Sequence, residues 1–329
     1  MDVSIAICTR NRAASLVRTL ESLTAMHVPD DLQWEVVVIN NASLDDTDAV
    51  ILRFQERLPL RREFEAAPGL SNARNRALRV IKGAYVIWTD DDVIVDQGFL
   101  AAYVEAFRRW PHAVLFGGKI IPVFEEPMPP WLRECQTMIG GTFAHRDFGD
   151  EPVPLTCTGN RIPFGANFAV RTAEHRAHMY NPVLGAGALL GIGEETDVAV
   201  RLLKEGMEGY WIAGAKVRHF IPQARQTLRH VERHYNALGR ISAFATELHG
   251  YDGPRLFGAP RWLVRRLVAD YLAYQLYRWT TSPRVWMSQF KKYAVRRGEF
   301  DFHRQQRWLV DQTRSAELKV NSAAASQPE

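Results

Sequence analysis

Apolar runs and helical spacings alternate along the first part of the chain. Residues 3–7 form a short apolar stretch of the kind a buried strand makes, and Ala13, Leu16, Val17, Leu20 and Leu23 then recur at helical spacing. The pair repeats at 34–39 with a helix carrying Val50, Ile51 and Phe54, and again with an extended piece near 62–65 and a helix over 71–81. A fourth strand, 85–89, runs straight into Asp90, Asp91 and Asp92. Strands alternating with helices predict a Rossmann-like, mostly parallel sheet with helices on both faces, an α/β fold whose ligands bind beyond the carboxyl ends of the strands. The polar residues after each strand are therefore expected on one edge: Thr9, Arg10 and Asn11, then Asn40 and Asn41, then the three aspartates. Asn and Asp also punctuate loops and cap helices, as Asp45 and Asp46 do before Thr47. Here, however, several strand ends carry groups suited to one polyanionic ligand.

Three adjacent carboxylates repel one another, and a turn needs at most one of them. An oxygen-preferring divalent cation, Mn²⁺ or Mg²⁺, offsets the repulsion and bridges carboxylates to substrate phosphates. On extended backbone Asp90 and Asp92 fall on one side and Asp91 on the other, which puts Asp92 on the metal and Asp90 on the metal shell or a ribose. A second acidic cluster, Glu194, Glu195 and Asp197, opens a segment in which Val198, Leu202 and Leu203 share a helical face and Gly206 marks the end. The positive end of the helix dipole accounts for one acid in that first turn. Crowding of three raises the pKa of at least one if they are partly buried, which suits a general base. Arg74 stands at the start of the 71–81 helix, badly placed for the dipole and well placed for an anion.

Read in order, Ser4-Ile-Ala-Ile-Cys-Thr-Arg-Asn-Arg12, Val36-Val-Val-Ile-Asn-Asn-Ala-Ser-Leu-Asp-Asp-Thr47, Gly69-Leu-Ser-Asn-Ala-Arg-Asn-Arg-Ala77 and Trp88-Thr-Asp-Asp-Asp92 resemble family 2 glycosyltransferases. The resemblance continues through Gly117-Gly118, residues 163–170, Gly193-Glu-Glu-Thr-Asp-Val198 and Arg201-Leu202, and so covers about residues 1–235. It implies the GT-A nucleotide-diphospho-sugar transferase fold and an inverting, hexosyl-type transfer from a nucleotide-diphosphate sugar, most often a UDP-sugar. Thr9, Arg10, Asn11, Asn40, Asp90 and Asp91 would then lie on the nucleotide sugar, with Arg74 reaching the base or pyrophosphate. Asp92, Asp90 and His219, which follows the strand-like 215–218, would hold the metal. The family's base is the second acid of a Glu-Asp pair, which aligns with Glu195; Asp197 is the next candidate, and Glu194 would bind the acceptor. Two departures stand out: Asn40 and Glu195 each occupy a position where the family usually has aspartate. A saccharide or lipid-linked acceptor, in polysaccharide or glycoconjugate synthesis, follows by the same resemblance.

Length and composition set the outer bounds. The chain has 329 residues, 47% of them hydrophobic and 24% charged, which excludes a mini-protein or a largely disordered chain. A net charge of +4 with no recognised binding motif argues against nucleic acid as a partner. Three scattered cysteines fit neither a disulfide framework nor a zinc site, and the start lacks a secretory pattern, so a cytoplasmic location is expected. The division expected is a catalytic domain over 1–222, a helical extension over 223–314 and a disordered tail over 315–329. The extension reads as one helix over 223–248 and another over 260–280, where Trp262, Leu263, Leu267, Tyr271, Tyr274 and Leu276 mix with arginines. Residues 260–310 could touch an anionic membrane, or pack with their arginines at the border. The stretch 125–162, with Trp131, His145 and Arg161, reads as a lid, an acceptor wall or padding. Two rival functions share these features: a sugar nucleotidyltransferase, which has no use for the Glu194 to Asp197 cluster, and a non-catalytic nucleotide-sugar or saccharide binding module.

Overall fold

A computed structural model of the chain describes residues 1–311 and 313. The tail expectation for 315–329 lies outside the described residues. The chain forms two compact units, one from Met1–Pro127 with Gly140–Ala224, the other from Met128–Ile139 with the chain from Arg225 onward. In chain order the elements are β1 (Val3–Thr9), α1 (Ala13–Thr24), β2 (Trp34–Asn40), α2 (Thr47–Phe54), β3 (Leu60–Phe64), α3 (Leu70–Val80), β4 (Tyr85–Asp90) and β5 (Val93–Val95). There follow α4 (Phe99–Arg109), β6 (Leu115–Phe124), α5 (Pro130–Cys135), β7 (Asn167–Arg171), α6 (Thr172–Ala177), α7 (Glu194–Lys204) and β8 (Gly209–Ile221).

The first unit holds an eight-stranded sheet in the order β3-β2-β1-β4-β7-β6-β8-β5. Neighbours are parallel except at β4–β7, β7–β6 and β8–β5, so only β7 and β5 run against the rest. Alternate residues of the strands feed two separate cores. Val3, Ile5, Ile7, Val36, Val38 and Ile87 meet α1, α2 and α4 on one face. Ala6, Val37, Ile39, Val86 and Trp88 meet α3 and α7 on the other. This two-sided burial is why the strands read as nearly continuous apolar runs. The register of β1 with β2 and β4 aligns Thr9 with Asn40 and Cys8 with Asp90, so the polar strand ends do share one edge.

Asn167 holds the sheet together where parallel and antiparallel pairing meet. Fully buried, it donates through Nδ2 to the Lys119 and Ala215 carbonyls and accepts from the Tyr103 hydroxyl at 2.7 Å. The β6–β8 register shifts between Gly118 and Lys119, and the Asn167 amide supplies donors at that irregularity.

The second unit contains α8 (Leu228–Leu248), α9 (Arg261–Thr280) and α10 (Pro283–Gln305). The expected helix over 223–248 is shorter at its start: Gln223–Arg225 is a single 3₁₀ turn, and α8 begins at Leu228. Thr227 sets that boundary, because its extended backbone breaks the helix and its hydroxyl accepts the His230 N–H. Helix α10, absent from the sequence reading, packs against both α8 and α9. A side chain at Gly298 would meet the Asn236 carbonyl of α8 at 2.0 Å, so only glycine permits this approach. The Tyr274 ring of α9 lies 5.0 Å from Phe290 of α10. Helix α5 is tied on by Arg284 Nε, which donates to the Glu134 carbonyl.

Replacing Asn167 with alanine strands two buried carbonyls and a tyrosine hydroxyl. The expected loss is about 2–4 kcal/mol of unfolding free energy, measured by urea denaturation. Tyr103→Phe, which removes one bond and strands one acceptor, is expected to cost about 1 kcal/mol.

Candidate active site

The acidic strand end is folded around cations. The β5–β8 pairing sets Val93 beside His219 and so brings the imidazole to Asp92, the residue before β5. His219 donates through Nδ1 to the Phe143 carbonyl at 3.1 Å, and its Nε2 lies 3.2 Å from Asp92 Oδ1. Arg12 Nη1 donates to Asp91 Oδ1 at 2.9 Å and to Asp92 Oδ2 at 2.8 Å, and the Thr9 hydroxyl donates to Asp91 Oδ2 at 2.7 Å. The expected sidedness of the three acids therefore fails. Strand β4 ends at Asp90, the chain turns, and one guanidinium gathers Asp91 and Asp92 together while Asp90 faces Arg74.

The electrostatics follow from burial and partners. Burial raises the Asp91 carboxyl to about 6, against the pull of Arg12. For Asp92, burial acts upward too, but the His219 hydrogen bond and the charges of His219 and Arg12 outweigh it and hold the carboxyl low. Burial would lower His219, yet its bond to Asp92 and the charges of Asp92 and Asp90 raise it. Burial raises Asp90, with Arg74 opposing and Asp92 adding to the rise.

Arg74 links the two acidic clusters. It is 2% exposed, with its guanidinium 5.3 Å from the Tyr180 ring centroid and near Trp88 and Phe168. Nη1 donates to Glu194 Oε1 at 3.1 Å, and Nη2 lies 3.6 Å from Asp90 Oδ1. Gly165 lies close beside it, since a Cβ there would stand 2.6 Å from Nη2 and push the guanidinium aside. The loop before α7 is fastened to α3 by Ser71, whose hydroxyl donates to the Leu184 carbonyl, and by Asn75, which pairs both ways with the Tyr180 backbone. Those bonds bring the start of α7 to Arg74.

The three acids of α7 have different surroundings. Glu194 is buried, and burial together with the Glu195 charge raises it to about 8 against the pull of Arg74. Glu195 is half-buried and accepts one bond, from the Gly165 N–H at 3.3 Å. Asp197 pairs with Arg201 one turn on, at 3.0 Å. Of the residues expected on the nucleotide sugar, Arg10 is exposed and Asn11 accepts the Leu44 N–H at 2.7 Å. Asn40 donates to Asp48 at 2.6 Å and accepts the Ser43 N–H; Asp48 in turn takes two bonds from Arg62. Sequence reasoning missed Arg12 and Gly165. Arg12 was within reach of it, because three crowded carboxylates require nearby cations and Arg12 follows the first strand. Asn41, expected on the ligand edge with Asn40, instead holds the Glu65 and Ala67 carbonyls and the Gly69 N–H.

Among the described residues no group of three or more His, Cys, Asp or Glu side chains forms a ready cation cage. The donor set is nevertheless chemically suited to Mn²⁺ or Mg²⁺: two carboxylates, Asp90 and Asp92, with one imidazole. The Nδ1 bond to a carbonyl would leave Nε2 as the His219 nitrogen able to ligate once deprotonated. Cys8 offers no competing chemistry, as burial raises its thiol to about 12.

Arg74→Met leaves Glu194 buried without its cation and is expected to cost about 3–5 kcal/mol in chemical denaturation. Adding Glu194→Leu is expected to recover part of that loss. Because the folded pKa of Glu194 lies above its unfolded value, its contribution to stability is fully present below about 4.5 and declines as pH rises toward about 8. Glu194→Gln should lack that pH slope.

Residues 4–165 match the Glycosyl transferase family 2 model, a shorter span than the motifs suggested. The Succinoglycan biosynthesis protein ExoM of Rhizobium meliloti is 27% identical over 135 residues, 40% of this chain and 43% of that protein. The Glucosyl-dolichyl phosphate glucuronosyltransferase of Haloferax volcanii is 25% identical over 175 residues, 50% of this chain and 52% of that protein. The chain thus spans about half or less of these relatives' length. Among solved structures, S. aureus TarS 1–349 in complex with UDP-GlcNAc superposes with a TM-score of 0.54 at 16% identity, covering 93% of this chain and 92% of that one. The mannosyltransferase PcManGT of Pyrobaculum calidifontis, in complex with GDP-Man and Mn²⁺, gives 0.52 at 18% identity, covering 99% and 76%. The parallel sheet with its acidic strand end has the GT-A fold, and residues 4–165 carry the sequence of glycosyl transferase family 2.

Proposed function

We propose that the protein transfers a hexose, with inversion, from a nucleotide-diphosphate donor of the UDP-sugar type to a saccharide or lipid-linked acceptor. The carrying observation is the buried Arg74 guanidinium, which joins the donor-side Asp90 to Glu194 of α7. On this reading residues 1–222 carry the catalysis, with 223–314 as a helical extension. Glu195 takes the proton of the attacking hydroxyl as oxygen joins the anomeric carbon on the face opposite the departing diphosphate. Its environment supports that role: Glu194 is committed to Arg74 and Asp197 to Arg201, while Glu195 holds one backbone bond. Arg12 and Arg74 would supply fixed positive charge near the donor phosphates. Mn²⁺ or Mg²⁺ held by Asp92, Asp90 and His219 would neutralise charge on the leaving diphosphate. The neighbours named with UDP-GlcNAc and with GDP-Man and Mn²⁺ support a nucleotide-sugar donor and a divalent ion. Contact of residues 260–310 with an anionic membrane belongs to the same reading and suits a lipid-linked acceptor. Among the described residues no helix is long and apolar enough to cross a membrane.

Calorimetry with uridine, guanosine, adenosine and thymidine diphosphates is expected to find one that binds only with Mn²⁺ or Mg²⁺, and Asp92→Asn is expected to abolish that metal effect. Once the donor is known, Glu195→Gln should lower kcat by about 10²–10⁴-fold with nucleotide affinity kept. Asp197→Asn should stay within a few-fold of the parent; the opposite ranking would move the base to Asp197.

A further inference from the structure

Helix α9 packs on α10 along one side, where Leu263 and Tyr274 are buried. The opposite side carries Val268, Leu272, Leu276 and Trp279, spaced at four, four and three residues and so stacked in one stripe. These four are 54%, 61%, 63% and 82% exposed, far more apolar surface than scattered exposed side chains present. Arg261 and Arg265, both exposed, continue the stripe toward the helix start. The stripe has no carboxylate. The one acid of α9, Asp270, is half-buried and turned to Arg296 of α10 at 3.9 Å.

We infer that this stripe of α9 is a docking face for the surface of an anionic lipid bilayer, with Val268, Leu272, Leu276 and Trp279 entering the interface and Arg261 and Arg265 on the headgroup phosphates. The inference rests on the membrane contact proposed above and assigns it to one helix face. Charge complementarity selects the occupant. Anionic headgroups satisfy both arginines, and the interfacial zone accepts Trp and Leu. A second copy of the chain laid on the same stripe would bury those arginines without bringing them an acid. The interface needs only a surface helix, which agrees with the absence of a spanning helix among the described residues.

The test is co-sedimentation of the full chain with vesicles of phosphatidylcholine alone and with about a third phosphatidylglycerol, at low and at physiological salt. The parent protein is expected to bind only the anionic vesicles, more weakly as salt rises. Leu272→Ser with Trp279→Ser should lower the partition at least tenfold, and Arg261→Gln with Arg265→Gln should remove most of the salt dependence. Unchanged circular dichroism and melting of both variants would show an intact fold, and a Leu248→Ser control away from the stripe should bind as the parent does. Parent binding that survives the stripe substitutions overturns the face and leaves the membrane reading standing. Failure of the parent to bind overturns both. A dimer in sedimentation velocity that the stripe variants dissociate, with no vesicle binding, would give the face to a second copy instead.

Discussion

The Arg74 guanidinium is the interaction on which the site depends. A fully enclosed cation must find anions, and this one meets Glu194 at 3.1 Å and Asp90 at 3.6 Å. The two carboxylates come from distant parts of the chain, one ending β4 and one opening α7. The Glu194 placement is unfavourable alone, because it puts an acid out of water, while the Asp90 side chain stays 35% exposed. Together they let one arginine, shut in by three aromatic rings, offset both. Burial and the neighbouring Glu195 charge still outweigh Arg74 at Glu194, whose carboxyl is raised to about 8.

The second cation group acts differently. Arg12 and His219 hold Asp91 and Asp92, His219 from a buried position and Arg12 with its side chain 40% exposed. A contact at that exposure can be exchanged for another ligand, whereas the Arg74 contacts cannot be broken without opening the core. The Arg74 contacts are thus enclosed, while those of Arg12 stand partly open to solvent. That arrangement suits a surface that must hold its shape while polyanionic ligands come and go.

Much of this was legible beforehand. The strands were readable because burial on both faces makes them apolar runs, and the helices because each presents one stripe to one core. The acidic clusters were readable because repulsion among neighbours in sequence demands a reason. Helix α10 was not, since it is covered by α8 and α9 and its apolar residues do not collect on one side. The start of α8 was misread because a single threonine cap outweighed the helical spacing before it. Asn41 reads from sequence as a ligand-edge polar and Asn167 carries no signal of its own, and only their carbonyl partners reveal them as struts.

The sequence by itself determined the alternating sheet and helices, the edge on which Thr9, Asn40 and Asp90 gather, and the two acidic clusters, because these follow from local periodicity and neighbour repulsion. Only the tertiary structure decided which cation each acid meets, that Asp91 and Asp92 share Arg12, and that Glu194 rather than its neighbours is buried on Arg74. It also decided which side of α9 remains uncovered. Such pairings join residues tens to more than a hundred positions apart, and local spacing carries no information about contacts that are set by how whole elements pack.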